Sequence, residues 1–127
     1  MIVVDSSAVI EITLQGSEES RCINILETAD RVAMSAATLT ETLIVAGARD
    51  KLNAVHTLLG RLSIDYIPLT ETRALEAAEA YRRWGKGFHP AKLNFGDCFA
   101  YALAKERACP LLYVGKDFAA TDVEAAR

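Results

Sequence analysis

Apolar residues recur along this chain with two different periods. Short runs rich in β-branched residues read as buried strands: Ile2-Val3-Val4, Arg31 to Met34, Ile64 to Ile67 and Pro110 to Val114. Between them the apolar positions fall at helical spacing. Ser7 to Leu14 reads as a short helix. Gly16-Ser17-Glu18-Glu19 offers a turn, an N-cap and an acidic first turn for a helix reaching about Thr28. A Thr38-x-x-Glu41 start predicts a helix from Thr38 to about Arg49. Leu52, Val55, Leu58, Leu59 and Leu62 share one face of a helix from Lys51 to Leu62. Pro68 ends the third strand, Thr70 caps a helix to about Trp84, and Asn94 caps another over Phe95 to Arg107. Strands separated by helices imply parallel pairing, right-handed crossovers and helices on both faces. The expected architecture is α/β in three layers, around a mainly parallel sheet of four or five strands. Ligands of such sheets bind beyond the carboxyl ends of the strands.

The chain has 127 residues, 51% of them hydrophobic, with a mean hydropathy of +0.14. That suffices for a core without disulfide or metal staples. No repeat, linker or low-complexity segment interrupts it, so residues 1–127 are expected to form a single domain. Met1 to Asp5 has no basic flank and no long apolar stretch. It reads as a first strand, which predicts a cytoplasmic protein with no membrane association. Cys22, Cys98 and Cys109 form no CxxC pair and read as small apolar side chains.

Acidic residues carry the candidate chemistry. Asp5 ends the first strand and Asp117 follows the fourth, so both belong on one rim of a parallel sheet. Glu41 and Asp97 lie in the first turns expected for helices entered from that rim. Asp122 lies just beyond. Each has a local explanation too. Glu41 fits a capping box with Thr38, Asp97 suits a helix N-terminus, and Asp5, Asp117 and Asp122 suit strand ends and turns. Jointly, carboxylates gathered without cations repel one another unless a metal ion neutralises them. An all-oxygen donor set favours Mg²⁺, with Mn²⁺ as the alternative. His56 and His89 are too isolated to suggest zinc.

At these residues the chain resembles a known family. The blocks are Met1-Ile2-Val3-Val4-Asp5-Ser6-Ser7-Ala8, Ser35-Ala36-Ala37-Thr38-Leu39-Thr40-Glu41, Leu93-Asn94-Phe95-Gly96-Asp97-Cys98-Phe99-Ala100-Tyr101-Ala102-Leu103-Ala104 and Gly115-Lys116-Asp117-Phe118-Ala119-Ala120-Thr121-Asp122. In this order they resemble the PIN-domain ribonucleases, and among those the VapC toxins, over essentially the whole chain. The resemblance implies a PIN domain and a Mg²⁺-dependent endoribonuclease aimed at tRNA or another structured RNA. Carried over by position, Asp5, Glu41, Asp97 and Asp117 form the acidic pocket. Asp5 and Asp97 are the first choice as direct metal ligands. Glu41 and Asp117 complete the set directly or through water, and Asp122 assists a second ion. Ser6 and Thr121 are hydroxyl partners for a carboxylate or the scissile phosphate, with local capping as the alternative. The implied mechanism is in-line attack by a metal-activated water, leaving a 3′-hydroxyl and a 5′-phosphate. The implied partners are a VapB-type antitoxin and a second copy of the chain. An antitoxin tail would place a basic residue among the acids and lay its remainder along an apolar groove. Ile10, Ile12, Leu14, Leu43 and Ile44 are candidates for that groove.

Charge modifies this picture in one place. The chain carries 14 Lys and Arg against 17 Asp and Glu, net −3, which argues against a generic nucleic-acid coat. Yet Arg82-Arg83-Trp84-Gly85-Lys86-Gly87-Phe88-His89-Pro90-Ala91-Lys92 holds no acid and leads into the segment bearing Asp97. Arg82, Arg83, Lys86 and Lys92 could hold RNA phosphates while Trp84 stacks a base. The alternative is a solvated loop with Trp84 tucked into the core. Rival functions fit less well. A receiver-type signalling domain needs an acidic pair after strand one, where Ser6-Ser7 stand, and a DxD phosphatase needs a second Asp there. A PIN-like module without catalysis would not require the full acidic set.

Overall fold

The computed structural model describes residues 1–127. Its centre is a four-stranded sheet of β1 (Ile2–Val4), β2 (Val32–Ser35), β3 (Ile64–Ile67) and β4 (Leu111–Leu112), in the order β3-β2-β1-β4 and parallel throughout. Helices α1 (Ser6–Thr13) and α2 (Glu19–Thr28) join β1 to β2. Helices α3 (Ala36–Ala48) and α4 (Leu52–Arg61) join β2 to β3. Helices α5 (Glu71–Trp84) and α6 (Phe95–Glu106) then carry the chain across the sheet to β4 on the far side of β1. An isolated parallel bridge from Leu111 to Ala125 adds the trace of a fifth strand.

The two-residue period of the strands sorts their side chains into two cores. Ile2, Val4, Val32, Met34 and Leu112 pack with Val9, Ile25, Ala46 and Val55, beneath α1 to α4. Val3, Ala33 and Leu111 point the other way and pack with Ala77, Ala80, Ala100 and Leu103 of α5 and α6. This is the three-layer α/β/α arrangement expected from the sequence. No helix is long and apolar enough to cross a membrane.

Local boundaries differ from the expected ones in instructive ways. Strand β2 runs on to Ser35, whose hydroxyl accepts from the Ala37 N–H and caps α3. Thr38 is therefore inside the helix and fully buried, not its cap, and Glu41 lies beyond the first turn. Ser17 does not cap α2. The Glu11 carboxylate reaches from α1 to accept the Glu18 N–H at 2.9 Å, and Gly16 leaves the room that carboxylate occupies. Strand β4 stops at Leu112 because the next free amide, that of Val114, turns to the Ser7 hydroxyl.

Candidate active site

The strand order reverses between β1 and β4, so a crevice opens at their carboxyl ends. Asp5 sits there, between β1 and α1, and is 2% exposed. Its backbone is extended and its side chain caps α1: Oδ2 accepts from the Ser7 N–H at 3.1 Å and the Ser7 hydroxyl at 2.6 Å. Oδ1 is buried with no hydrogen-bond partner. Burial pushes the Asp5 carboxyl up to about 6, with the Glu41 charge adding to the rise and the Ser7 hydrogen bonds opposing it.

Asp97 arrives from the other layer. Asn94 and Asp97 form a reciprocal capping box at the start of α6. Asn94 Oδ1 accepts the Asp97 N–H at 2.9 Å, and Asp97 Oδ2 accepts the Asn94 N–H at 3.0 Å. Burial pushes the Asp97 carboxyl up to about 7, helped by the charges of Asp5, Asp117 and Glu41 and opposed by the Asn94 N–H. Those three charges identify the company Asp97 keeps. Glu41 projects from α3, and its Oε1 accepts the Ser6 hydroxyl at 2.8 Å. Its carboxylate lies against Gly96, where a Cβ would collide with it. Asp117 opens a short 3₁₀ helix, Asp117–Ala120, after the left-handed turn at Gly115 (φ 106°).

The charges of Asp5, Glu41 and Asp117 thus all act on Asp97, and that of Glu41 on Asp5, while two other expected participants are engaged elsewhere. Asp122 accepts the Tyr101 hydroxyl at 2.5 Å and pairs with Lys105 at 3.2 Å. The Tyr101 hydrogen bond, then Lys105, hold its carboxyl below the usual range. The Thr121 hydroxyl donates to the Phe118 carbonyl at 2.7 Å and accepts from the Val123 N–H, so it serves local backbone. Sequence reasoning missed Ser7 and Gly96. The signal for Ser7 was present, since a Ser two residues after a strand-ending Asp can return a hydrogen bond to it.

The donor set suits a hard cation. It is all oxygen, the charges that act most strongly on Asp97 are those of other acids, and one buried carboxylate oxygen of Asp5 lacks any partner. No three acidic, imidazole or thiolate groups meet closely enough to form a finished cage. That is compatible with Mg²⁺, which typically takes one or two carboxylates and keeps several waters.

The basic segment splits into two parts. Arg82, Arg83 and Trp84 form the last turn of α5. Arg82 pairs with Glu79, and Arg83 lies 4.9 Å over the Trp84 ring. The indole N–H donates to the Tyr101 hydroxyl at 2.8 Å, and the His89 ring meets its edge at 4.7 Å. Trp84 is thus fastened to the body, against the stacking role expected for it. Lys86, Lys92 and the 63% exposed Phe88 occupy the loop beyond. Of the apolar groove candidates, Ile12 is buried, Ile10 and Leu43 pack against the core, and Leu14 and Ile44 are exposed.

The PIN domain family model matches residues 2–124. Ribonuclease VapC28 of Mycobacterium tuberculosis is 40% identical, over 98% of this chain and 97% of its own. Ribonuclease VapC of Mycolicibacterium smegmatis is 40% identical, over 98% of each. Among solved structures, Mycobacterium tuberculosis VapC20, a sarcin-ricin loop cleaving toxin, shares the fold with a TM-score of 0.80 at 16% identity, over 100% of this chain and 99% of its own. VapBC2 from Rickettsia felis, bound to a DNA fragment from its promoter, gives a TM-score of 0.71 at 14% identity, over 98% of this chain and 96% of that one. The chain belongs to the PIN-domain family and, within it, to the VapC ribonuclease toxins.

Proposed function

We propose that this protein cleaves a structured RNA, such as a tRNA, with Mg²⁺ held by Asp5 and Asp97 and the set completed by Glu41 and Asp117. The observation that carries the reading is Asp5 Oδ1: a buried carboxylate oxygen with no hydrogen bond, in a carboxyl whose charge is further disfavoured by that of Glu41. When bound, the ion supplies charge neutralisation at the phosphate and a lowered pKa for an attacking water. The chain's own side chains do the positioning. Ser7 and the Asn94 amide hold one oxygen each of Asp5 and Asp97, and Ser6 turns Glu41 toward the same crevice. Lys86 and Lys92 meet RNA phosphates, and the exposed Phe88, whose ring meets Tyr81 edge-on, offers a face for a base to stack on.

A VapB-type antitoxin and a second copy of the chain are the proposed protein partners. An apolar groove of about 520 Å³ supports a protein partner: Ile44, Leu69, Phe95 and Phe99 line it, and Glu41 borders it. Ile44 is 67% and Phe95 76% exposed, more than a free surface usually leaves uncovered at neighbouring sites. Light scattering of the purified chain is expected to return the dimer mass, and a monomer mass would remove the homodimer.

The test of the activity is cleavage of a total tRNA pool in Mg²⁺ and in EDTA, by the wild type, Asp5→Asn and Asp97→Asn. Discrete Mg²⁺-dependent fragments, lost in both folded variants, are expected. Cleavage that persists in EDTA and in both variants would refute the carboxylate site.

A further inference from the structure

The Ser7 hydroxyl does more than return a local hydrogen bond to Asp5. It lies between the end of β1 and the end of β4, the two strands that flank the crevice. Its oxygen accepts the Val114 N–H at 3.0 Å and donates to Asp5 Oδ2 at 2.6 Å. A hydroxyl has one proton and two lone pairs. With the Val114 amide on a lone pair, the proton has one destination, the carboxylate. The Ser7 backbone N–H reaches the same Oδ2 at 3.1 Å. Two donors therefore converge on one oxygen of Asp5 and none on the other, which is the oxygen left buried and unpartnered. Ser7 thus fixes the rotation of the carboxylate. Through Val114 it also ties Asp5 to the strand end that leads, by way of Gly115 and Lys116, to Asp117.

We infer that Ser7 is a positioning residue for the metal site: its hydroxyl, braced by the Val114 amide, turns Asp5 Oδ1 toward the ion and keeps the β1 and β4 ends in register around it. The inference rests on the functional reading above, since it assumes that the carboxylates hold a divalent ion. Groups that orient a ligand from behind typically change metal affinity by about 10- to 100-fold when removed.

The test is a Mn²⁺ titration read by the electron paramagnetic resonance signal of the free ion, on wild type, Ser7→Ala and Ser7→Thr. Ser7→Ala is expected to bind Mn²⁺ at least ~10-fold more weakly. Ser7→Thr keeps the hydroxyl and is expected to stay within ~3-fold of wild type, well under the loss set by removing such a group. Ser7→Cys keeps the volume and weakens both hydrogen bonds, and it gives the same direction of change should Ser7→Ala not fold. Cleavage lost by Ser7→Ala at low Mg²⁺ is expected to return when Mg²⁺ is raised about tenfold, matching the affinity change. Undiminished Mn²⁺ binding by folded Ser7→Ala or Ser7→Cys, beside a wild type that binds, would overturn the positioning role alone. A folded Ser7→Thr as weak as Ser7→Ala would also overturn it. A wild type that binds no Mn²⁺ would overturn the functional reading and this inference with it.

Discussion

Replacing Asp5 by Asn should stabilise the protein in the absence of metal while destroying its activity. Asp5 is 2% exposed, and its carboxyl is pushed from 3.8 to about 6, chiefly by burial. A native value above the unfolded one means that the native state binds the proton more tightly. Stability from this group is therefore full below pH 4, falls as pH rises through 4 to 6, and is lost above. At about 1.4 kcal/mol per tenfold change, the loss at pH 8 approaches ~3 kcal/mol. Asn has no such titration. Its carbonyl can still accept from Ser7, which preserves the α1 cap, and its amide replaces the unpartnered Oδ1. Urea unfolding in EDTA should show Asp5→Asn more stable than wild type by ~1–3 kcal/mol at pH 8, shrinking to ~1 kcal/mol or less at pH 4.5. Adding Mg²⁺ at pH 8 should raise the wild type toward the variant and leave the variant unmoved. A variant less stable than wild type at both pH values in EDTA would refute the claim that Asp5 is held as a costly charge.

Three other substitutions probe separate parts of the site. Gly96→Ala should displace the Glu41 carboxylate, cutting cleavage while a thermal melt shows stability unchanged or raised by up to ~1 kcal/mol, as Ala favours the helix. Tyr101→Phe breaks the Trp84–Tyr101–Asp122 chain and should cost ~1–2 kcal/mol, with a shift in Trp84 fluorescence and no change in Mn²⁺ affinity, because Asp122 stands outside the acidic group. Lys86→Ala with Lys92→Ala should weaken RNA binding and flatten its salt dependence by ~1–2 in log–log slope, and an unchanged slope would remove the loop from the RNA interface.

Element types, and the places of Asp5 and Asp97 within them, were legible because they rest on local rules. Strand runs, N-caps and helical periodicity act within a few residues, and they place Asp5 at a strand end and Asp97 at a helix start. What was not legible depends on distant residues. Thr38-x-x-Glu41 satisfies the capping-box pattern, yet Ser35, at the end of β2, takes the cap by accepting the Ala37 N–H, which leaves Thr38 buried inside the helix. Trp84 reads equally as a stacking residue or a core residue until Tyr101, on the next helix, claims its N–H. Asp122 and Thr121 lie beside Asp117 in sequence, but Lys105, Tyr101 and the Phe118 carbonyl draw them away. The role of Ser7 needs Val114, 107 residues later.

The local and functional explanations of Asp5 and Asp97 looked like alternatives in the sequence, but the capping seen in the structure does not exclude the proposed metal role. Each carboxylate spends Oδ2 on a helix N-terminus, α1 for Asp5 and α6 for Asp97. A helix N-terminus favours a negative charge by ~0.3–1 kcal/mol, and by up to ~2 when partly buried. Both carboxyls are nevertheless pushed well above 3.8, so burial and mutual repulsion outweigh the capping interactions. The caps settle orientation instead. At Asp5 one oxygen is pinned to the fold while the other, buried, makes no hydrogen bond, and the remaining unfavourable charge is what a divalent cation would offset. Asn at either position can keep the cap and lose the charge, whereas Ala loses both. At Asp97, stability and activity should therefore separate: Asn and Ala both stop cleavage, but Ala alone gives up the ~1 kcal/mol that a helix cap contributes.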